Sequence, residues 1–142
     1  MAVKIKVSQV IDRPVDKVFH FYADEQIRNH PRWDPDMHLG QISEGPIGIG
    51  TVIRRRNTHS GTPVDGSMEV VEFERNKAFG VVIHDGPSVT RGRITFESKS
   101  EKQTILTIHA EFTDMDEAMG ERIAGMVERS ARNIKQLVES EV

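Results

Sequence analysis

The stretch MDEAMGERIAGMVERSARNIKQLVE, residues 115–139, decides the architecture. At ~100° per residue, Met115, Met119, Ile123, Met126, Val127, Ile134, Leu137 and Val138 fall within an arc of ~140°, the pattern of an amphipathic helix. Asp114 stands where an N-cap is needed, and Asp116 and Glu117 load the first turn with negative charge. One helix of roughly 25 residues spans about 37 Å. Only a wide, curved sheet covers an apolar stripe of that length, so the residues before it must supply one.

Residues 36–113 do so. They hold no convincing helix, but β-formers fall into runs near 37–44, 50–58, 63–73, 78–85, 88–98 and 103–113. The links carry turn chemistry: Gly45-Pro46, Ser60-Gly61, Asn76-Lys77, Asp85-Gly86-Pro87 and Ser98-Lys99-Ser100. Short links between successive strands favour an antiparallel meander. At the N-terminal end, Val3, Ile5 and Val7 alternate with Lys4, Lys6 and Ser8, giving a further half-buried strand over 3–11. Pro14 opens a short amphipathic helix over 14–23, and Asp24 is placed to cap a second over about 25–30, which Pro31 ends. The order is β, α, α, six β and a long α. The expected fold class is α+β: a curved seven-stranded antiparallel sheet around a long C-terminal helix, with two short helices between strands 1 and 2. A bent sheet and a straight helix separate where they do not touch, and that leaves space between them.

The hairpins predict which side chains line that space. A turn at Ser60-Gly61 opposes Ile53 with Met68, Arg55 with Gly66 and Asn57 with Val64 on the more apolar face. Arg56 with Asp65 and Val52 with Glu69 share the solvated face. Arg55 therefore looks inward, with Gly66 leaving room for its guanidinium, while Arg54 and Arg56 face water. A turn at Gly86-Pro87 opposes Ile83 with Thr90, Val81 with Gly92 and Phe79 with Ile94, and the inner face continues through Phe96, Leu106, Ile108, Ala110 and Phe112. Asp85 sits at the open end of this surface. Val71 and Glu72 break the phase, which predicts a bulge.

Composition removes several classes of function. The 142 residues amount to one domain, 1–142, at ~150 residues per domain. With 19 basic against 22 acidic residues the net charge is −3, which argues against nucleic-acid binding and against electrostatic attachment to a membrane. Zero cysteines exclude disulfides, thiol catalysis and cysteine-ligated metal. Apolar runs such as Val81-Val82-Ile83 are too short for a ~20-residue span, and no apolar segment follows the N-terminal lysines as in a signal peptide. The expectation is a cytoplasmic chain, monomer or homodimer, without integral membrane association.

The order of elements resembles the START/SRPBCC superfamily, the helix-grip fold of the major birch pollen allergen, START lipid-transfer domains and polyketide cyclases. Ile11-Asp12-Arg13-Pro14-Val15-Asp16-Lys17-Val18-Phe19 looks like that family's entry into its first helix, and Pro31-Arg32-Trp33-Asp34-Pro35 like its helix-to-sheet crossing. Gly45-Pro46-Ile47-Gly48-Ile49-Gly50-Thr51 resembles a strand-to-strand loop, and Arg91-Gly92-Arg93-Ile94-Thr95-Phe96-Glu97 the penultimate strand. The likeness covers nearly the whole chain, and its flavour is that of small bacterial polyketide cyclase/dehydrase-like proteins. These are folding motifs, and the fold hosts many activities.

Chemistry is sparse. The six histidines offer no HxxxH or HxH pair and no carboxylate cluster, so no metal site is expected, and no cofactor. Gly45, Gly48 and Gly50 do not spell a dinucleotide fingerprint and read as loop residues needing positive φ. The Arg54-Arg55-Arg56 run alternates faces on a strand and makes no basic patch. His84 and His109 fall on the outer phase, and His59 at a hairpin tip. The first hypothesis is the binding of a small, largely apolar molecule, lipid- or polyketide-like, lined by Trp33, Ile53, Arg55, Met68, Val81, Ile83, Phe96, Ile108, Met119, Ile123, Met126 and Ser130, with Arg55 as the polar handle. Gly120 and Gly125 in the helix point to close packing or a mobile first half. The second hypothesis, implied by the resemblance, is a cyclase or dehydratase drawing on Arg55, Asp34, His38 and Asp85. The third is a protein-interaction module.

Overall fold

The fold is built from the strong alternation of the strands. A computed structural model describes residues 3–41, 43–58, 61–113 and 116–142. Strands β1 (Val3–Ile11), β2 (Met37–Gln41), β3 (Val52–Asn57), β4 (Val64–Glu74), β5 (Ala78–Asp85), β6 (Ser88–Ser100) and β7 (Gln103–Phe112) form one antiparallel sheet in the order β1-β7-β6-β5-β4-β3-β2. The meander from β2 to β7 pairs each strand with its neighbour in sequence, and β1 closes the far edge against β7. Helices α1 (Val15–Phe19) and α2 (Gln26–Trp33), joined by a π-helical turn at His20–Asp24, connect β1 to β2, and α3 (Glu117–Glu141) follows β7.

The registers are those the alternation dictates. Ile53 opposes Met68, Arg55 opposes Gly66, and Val81 opposes Gly92. The register of β4 on β5 shifts between Val70 and Glu72, so the bulge falls where Val71 and Glu72 leave the phase. Arg54 and Arg56 are exposed while Arg55 is buried, and Arg56 pairs with Asp65 on the outer face.

Four local expectations are corrected. Strand β2 stops at Gln41 rather than running to residue 44. Pro31 does not end α2, because the Asp34 N–H still donates to the His30 carbonyl at 3.0 Å beyond it. Asp24 does not cap α2, since its carboxylate is held by Arg75 and His20. Gly45 and Gly50 take φ values of +92° and +91°, but Gly48 does not share that left-handed conformation. Helix α3 is capped by Asp116, whose Oδ1 accepts from the Met119 N–H at 2.7 Å. The expected cap Asp114, the stripe residue Met115 and the hairpin tip at His59 and Ser60 lie outside the described residues.

The core occupies one end of the space between sheet and helix. Phe19 sits edge-on to Phe73 and Phe96 at 5.3 and 5.0 Å between ring centres, and Tyr22 meets Phe79 in the same way at 6.0 Å. Ile11, Val18, Leu106, Ile134 and Val138 complete it. The C-terminal half of α3 is bolted to this end. Lys135 Nζ donates to the Val10 carbonyl at 2.9 Å, the Asp12 N–H donates to Glu139, and Arg32 of α2 pairs with Glu141. Its N-terminal half rests on the sheet at the β1 edge, where Gly120 is buried and an added Cβ would stand 3.0 Å from Val3 Cγ1. No helix among the described residues is long and apolar enough to cross a membrane.

Candidate functional site

Between α3, chiefly its N-terminal half, and the concave face of the sheet lies a cavity of about 700 Å³. Its sheet wall is made by the inward phase: Met68 on β4, Val81 and Ile83 on β5, Gly92 and Ile94 on β6, Ile108 and Ala110 on β7. Met119, Ile123, Met126, Val127 and Ser130 of α3 face them. Gly92 keeps this part of the wall open: a Cβ there would press to 3.3 Å from Val81 Cγ2. The helix residues over the cavity are only partly buried and Met119 is 43% exposed, whereas Ala131, Ile134 and Val138 are fully buried. The stripe on α3 thus has two uses, core behind and cavity wall in front.

At one end the cavity is bounded by Trp33 and by Asp34–Asp36 after α2, by Pro87 and Ser88 of the β5–β6 turn, and by Thr113 and Asp116 around the start of α3. Trp33 is 3% exposed and stacks between Tyr22, at 4.8 Å, and His30, at 5.2 Å. Its carbonyl accepts from Asn133 Nδ2 of α3 at 3.1 Å, which ties this corner to the long helix. Burial pushes the Tyr22 hydroxyl above its usual range.

One charged group is buried in this apolar wall. Arg55 Nε lies 3.0 Å from Asp85 Oδ1, with the two side chains 8% and 18% exposed. Asn57 Nδ2 donates to Asp85 Oδ2 at 3.1 Å. The registers bring them together: Arg55 opposes Gly66, and Gly66 opposes Asp85. Gly66, opposite Arg55, makes room for the group that meets the guanidinium. A Cβ there would stand 2.2 Å from the His84 carbonyl oxygen and 2.3 Å from Asp85 Oδ1, so the bare backbone admits the carboxylate and the β5 strand.

Of the residues singled out from sequence, Trp33, Arg55, Met68, Val81, Ile83, Ile108, Met119, Ile123, Met126 and Ser130 stand on the cavity wall, as do Asp34 and Asp85. Ile53 and Phe96 do not: at 0% and 4% exposure they pack inside the core, because the aromatic cluster fills that part of the inner face. His38 is also displaced from the site. It is exposed on β2 beside Arg56, on the face opposite the buried Met37, so it does not reach the cavity that Asp34 borders. His109 lies across from Lys6 and Arg93, and partial burial with these two cations holds its pKa below the usual histidine value.

Sequence reasoning missed Tyr22, Gln26 and His30 as wall residues, while Asn57, on the inner face by its register, lines the cavity too. Gln26 Nε2 donates to the Tyr22 carbonyl at 2.8 Å, which turns its Oε1 toward His30 Nδ1 at 2.5 Å. Reversing the amide would set two acceptors against each other at the Tyr22 carbonyl, so His30 Nδ1 is the donor to Gln26 Oε1. Among the described residues no group of three or more His, Asp or Glu converges as a metal site would require.

A curved antiparallel sheet gripping a long helix around an internal cavity defines the START/Bet v1-like, helix-grip class. Comparison with known proteins places the chain within it. Residues 2–139 match the family described as "Polyketide cyclase / dehydrase and lipid transport", and the chain belongs to that family. Among solved structures it is similar to a START superfamily protein from Mycobacterium smegmatis, with a TM-score of 0.81 and 12% identity over 99% of both chains. It is similar to Ara h 8.0201, with a TM-score of 0.78 and 12% identity over 99% of this chain and 100% of that one. Norcoclaurine synthase from Thalictrum flavum, in complex with dopamine and hydroxybenzaldehyde, superposes with a TM-score of 0.73 and 14% identity over 100% of this chain and 89% of that one. At such identities the likeness is one of fold. No curated protein matches the chain.

Proposed function

We propose that the protein binds a small, largely apolar molecule, lipid- or polyketide-like, in the cavity between α3 and the sheet. The carrying observation is the cavity itself: about 700 Å³, in the range that takes drug-sized ligands, walled largely by apolar side chains with the Arg55–Asp85 pair set among them. Met119, Ile123 and Met126 give it a soft wall that accommodates shape, and the half-buried state of these residues leaves apolar surface for a ligand to cover. Trp33, the one tryptophan, borders the cavity and serves as the reporter. Titration with an aromatic apolar probe such as naphthol should change Trp33 emission in a saturable way, and native mass spectrometry should find a one-to-one complex. Unchanged emission together with a bare mass under the same conditions would overturn the reading.

A further inference from the structure

We infer that the polar end of the ligand is a neutral oxygen acceptor, an ester, ketone or similar group, and not a carboxylate. This rests on the binding reading above and concerns what Arg55 can recognise. The side chain is more than nine-tenths buried, and its ionic partner among the described residues is Asp85. Nε and Asp85 Oδ1 are enclosed by protein, facing each other without hydrogen-bond geometry. The two terminal nitrogens of Arg55 make no hydrogen bond among the described residues and are not enclosed, so their N–H groups are left for whatever occupies the cavity.

The charge of Arg55 is already cancelled. Asn57 holds the far oxygen of Asp85 at 3.1 Å, and the gap over Gly66 seats the near one, so the carboxylate is fixed in place from both sides. An incoming carboxylate would gain Arg55 but meet Asp85 behind it, and would lose its own hydration in an apolar chamber. Asp34, Asp36 and Asp116 border the cavity as well, against Arg122 and Arg129. Nothing in that balance favours an anion. A neutral carbonyl accepts from the open N–H groups without the second repulsion, and a hydrocarbon lacking any acceptor would strip those donors of water and leave them unpaired. The site therefore selects by hydrogen bonding rather than by net charge.

A matched pair of ligands reads this directly: methyl laurate and laurate, titrated at neutral pH by Trp33 emission and by calorimetry. The wild-type protein should bind the ester at least ~10-fold tighter than the carboxylate, since like charge set against a buried pair is strongly disfavoured. Asp85→Asn leaves Arg55 uncompensated and should reverse the order. Laurate binding to wild type as tightly as its ester would overturn the inference while leaving the binding reading in place, and so would an unchanged order in folded Asp85→Asn. If neither probe enters, both readings fall. The wild-type comparison needs no variant, so misfolding of Asp85→Asn does not shield the proposal.

Discussion

Gly66 shows how one missing side chain organises a site. Its position between Arg55 and Asp85 lets a buried ion pair form across a strand that contributes only backbone. Gly66→Ala must push the β5 backbone or the Asp85 carboxylate away, because the new methyl would stand 2.2 Å from the His84 carbonyl oxygen. Overpacking of this kind costs about 1–3 kcal/mol, read as a lower urea midpoint. Asp24 gives a second prediction. Arg75 donates to both of its oxygens, at 2.9 and 3.0 Å, and His20 adds a third bond, so Arg75 first of all holds the carboxyl below its ordinary 3.8. A lowered folded value means stabilisation that is complete above the unfolded pKa and lost as pH falls through the folded one. Asp24→Asn should therefore be less stable by about 0.5–1 kcal/mol at neutral pH, the discounted range for a partly exposed pair. The difference should fade in urea melts as pH falls below the ordinary 3.8 and through the lowered folded value, where the wild-type carboxylate itself protonates. A difference that stays constant with pH would show that the bonds to Asp24 do not depend on its charge.

At the scale of elements, α3 separates into two halves with different mechanical roles. Ile134 is fully buried in the core, while Ile123, three turns earlier, stands over the cavity and is only half-buried. Ile134→Ala should cost about 2–5 kcal/mol in chemical denaturation, the price of a cavity in packed surroundings. Ile123→Ala should cost under about 1 kcal/mol in stability, since little packing is lost, yet weaken binding of the apolar probe. Equal losses at the two positions would mean that the front half of the helix is ordinary core. Most of this organisation was legible in the sequence, because period-two alternation anchored by turn residues sets each register, and a one-residue slip would turn Ile53 and Met68 outward. The pairing of Arg55 with Asp85 was within reach by chaining the registers 55 to 66 and 66 to 85 across two hairpins. The helical contributions were not. Tyr22, Gln26 and His30 reach the cavity through the angle at which a π-helical turn joins α1 to α2, and the continuation of α2 past Pro31 changes the direction of Trp33. Those angles are set by packing against Phe79 and Phe96, which local periodicity does not encode.

Across the whole molecule, stability and function are sorted to opposite ends. The aromatic core, the ties from Lys135 and Glu139 to β1, and the Arg32–Glu141 pair fasten one end. At the other, α3 begins with an exposed cap at Asp116, and an added Cβ at the mid-helix Gly125 would meet nothing within 4 Å. Gly125 is thus not a packing device, and glycine in a helix interior costs about 1 kcal/mol relative to alanine. Its effect is to weaken the helix where it spans the cavity, which suits a wall that must part for a ligand to enter. Amide hydrogen exchange should follow this division: residues 117–127 should exchange faster than residues 131–141, whose opening approaches global unfolding. Saturating ligand should slow the first segment and leave the second nearly unchanged, with overall stability rising by about 2.7 kcal/mol at a concentration 100 times the dissociation constant. Gly125→Ala should slow exchange in 117–127 without ligand, raise the urea midpoint and reduce the rate of probe entry. Uniform protection along α3, or faster entry in Gly125→Ala, would mean that ligands reach the cavity by another route, past the loop at Asp34–Asp36 rather than beneath the helix.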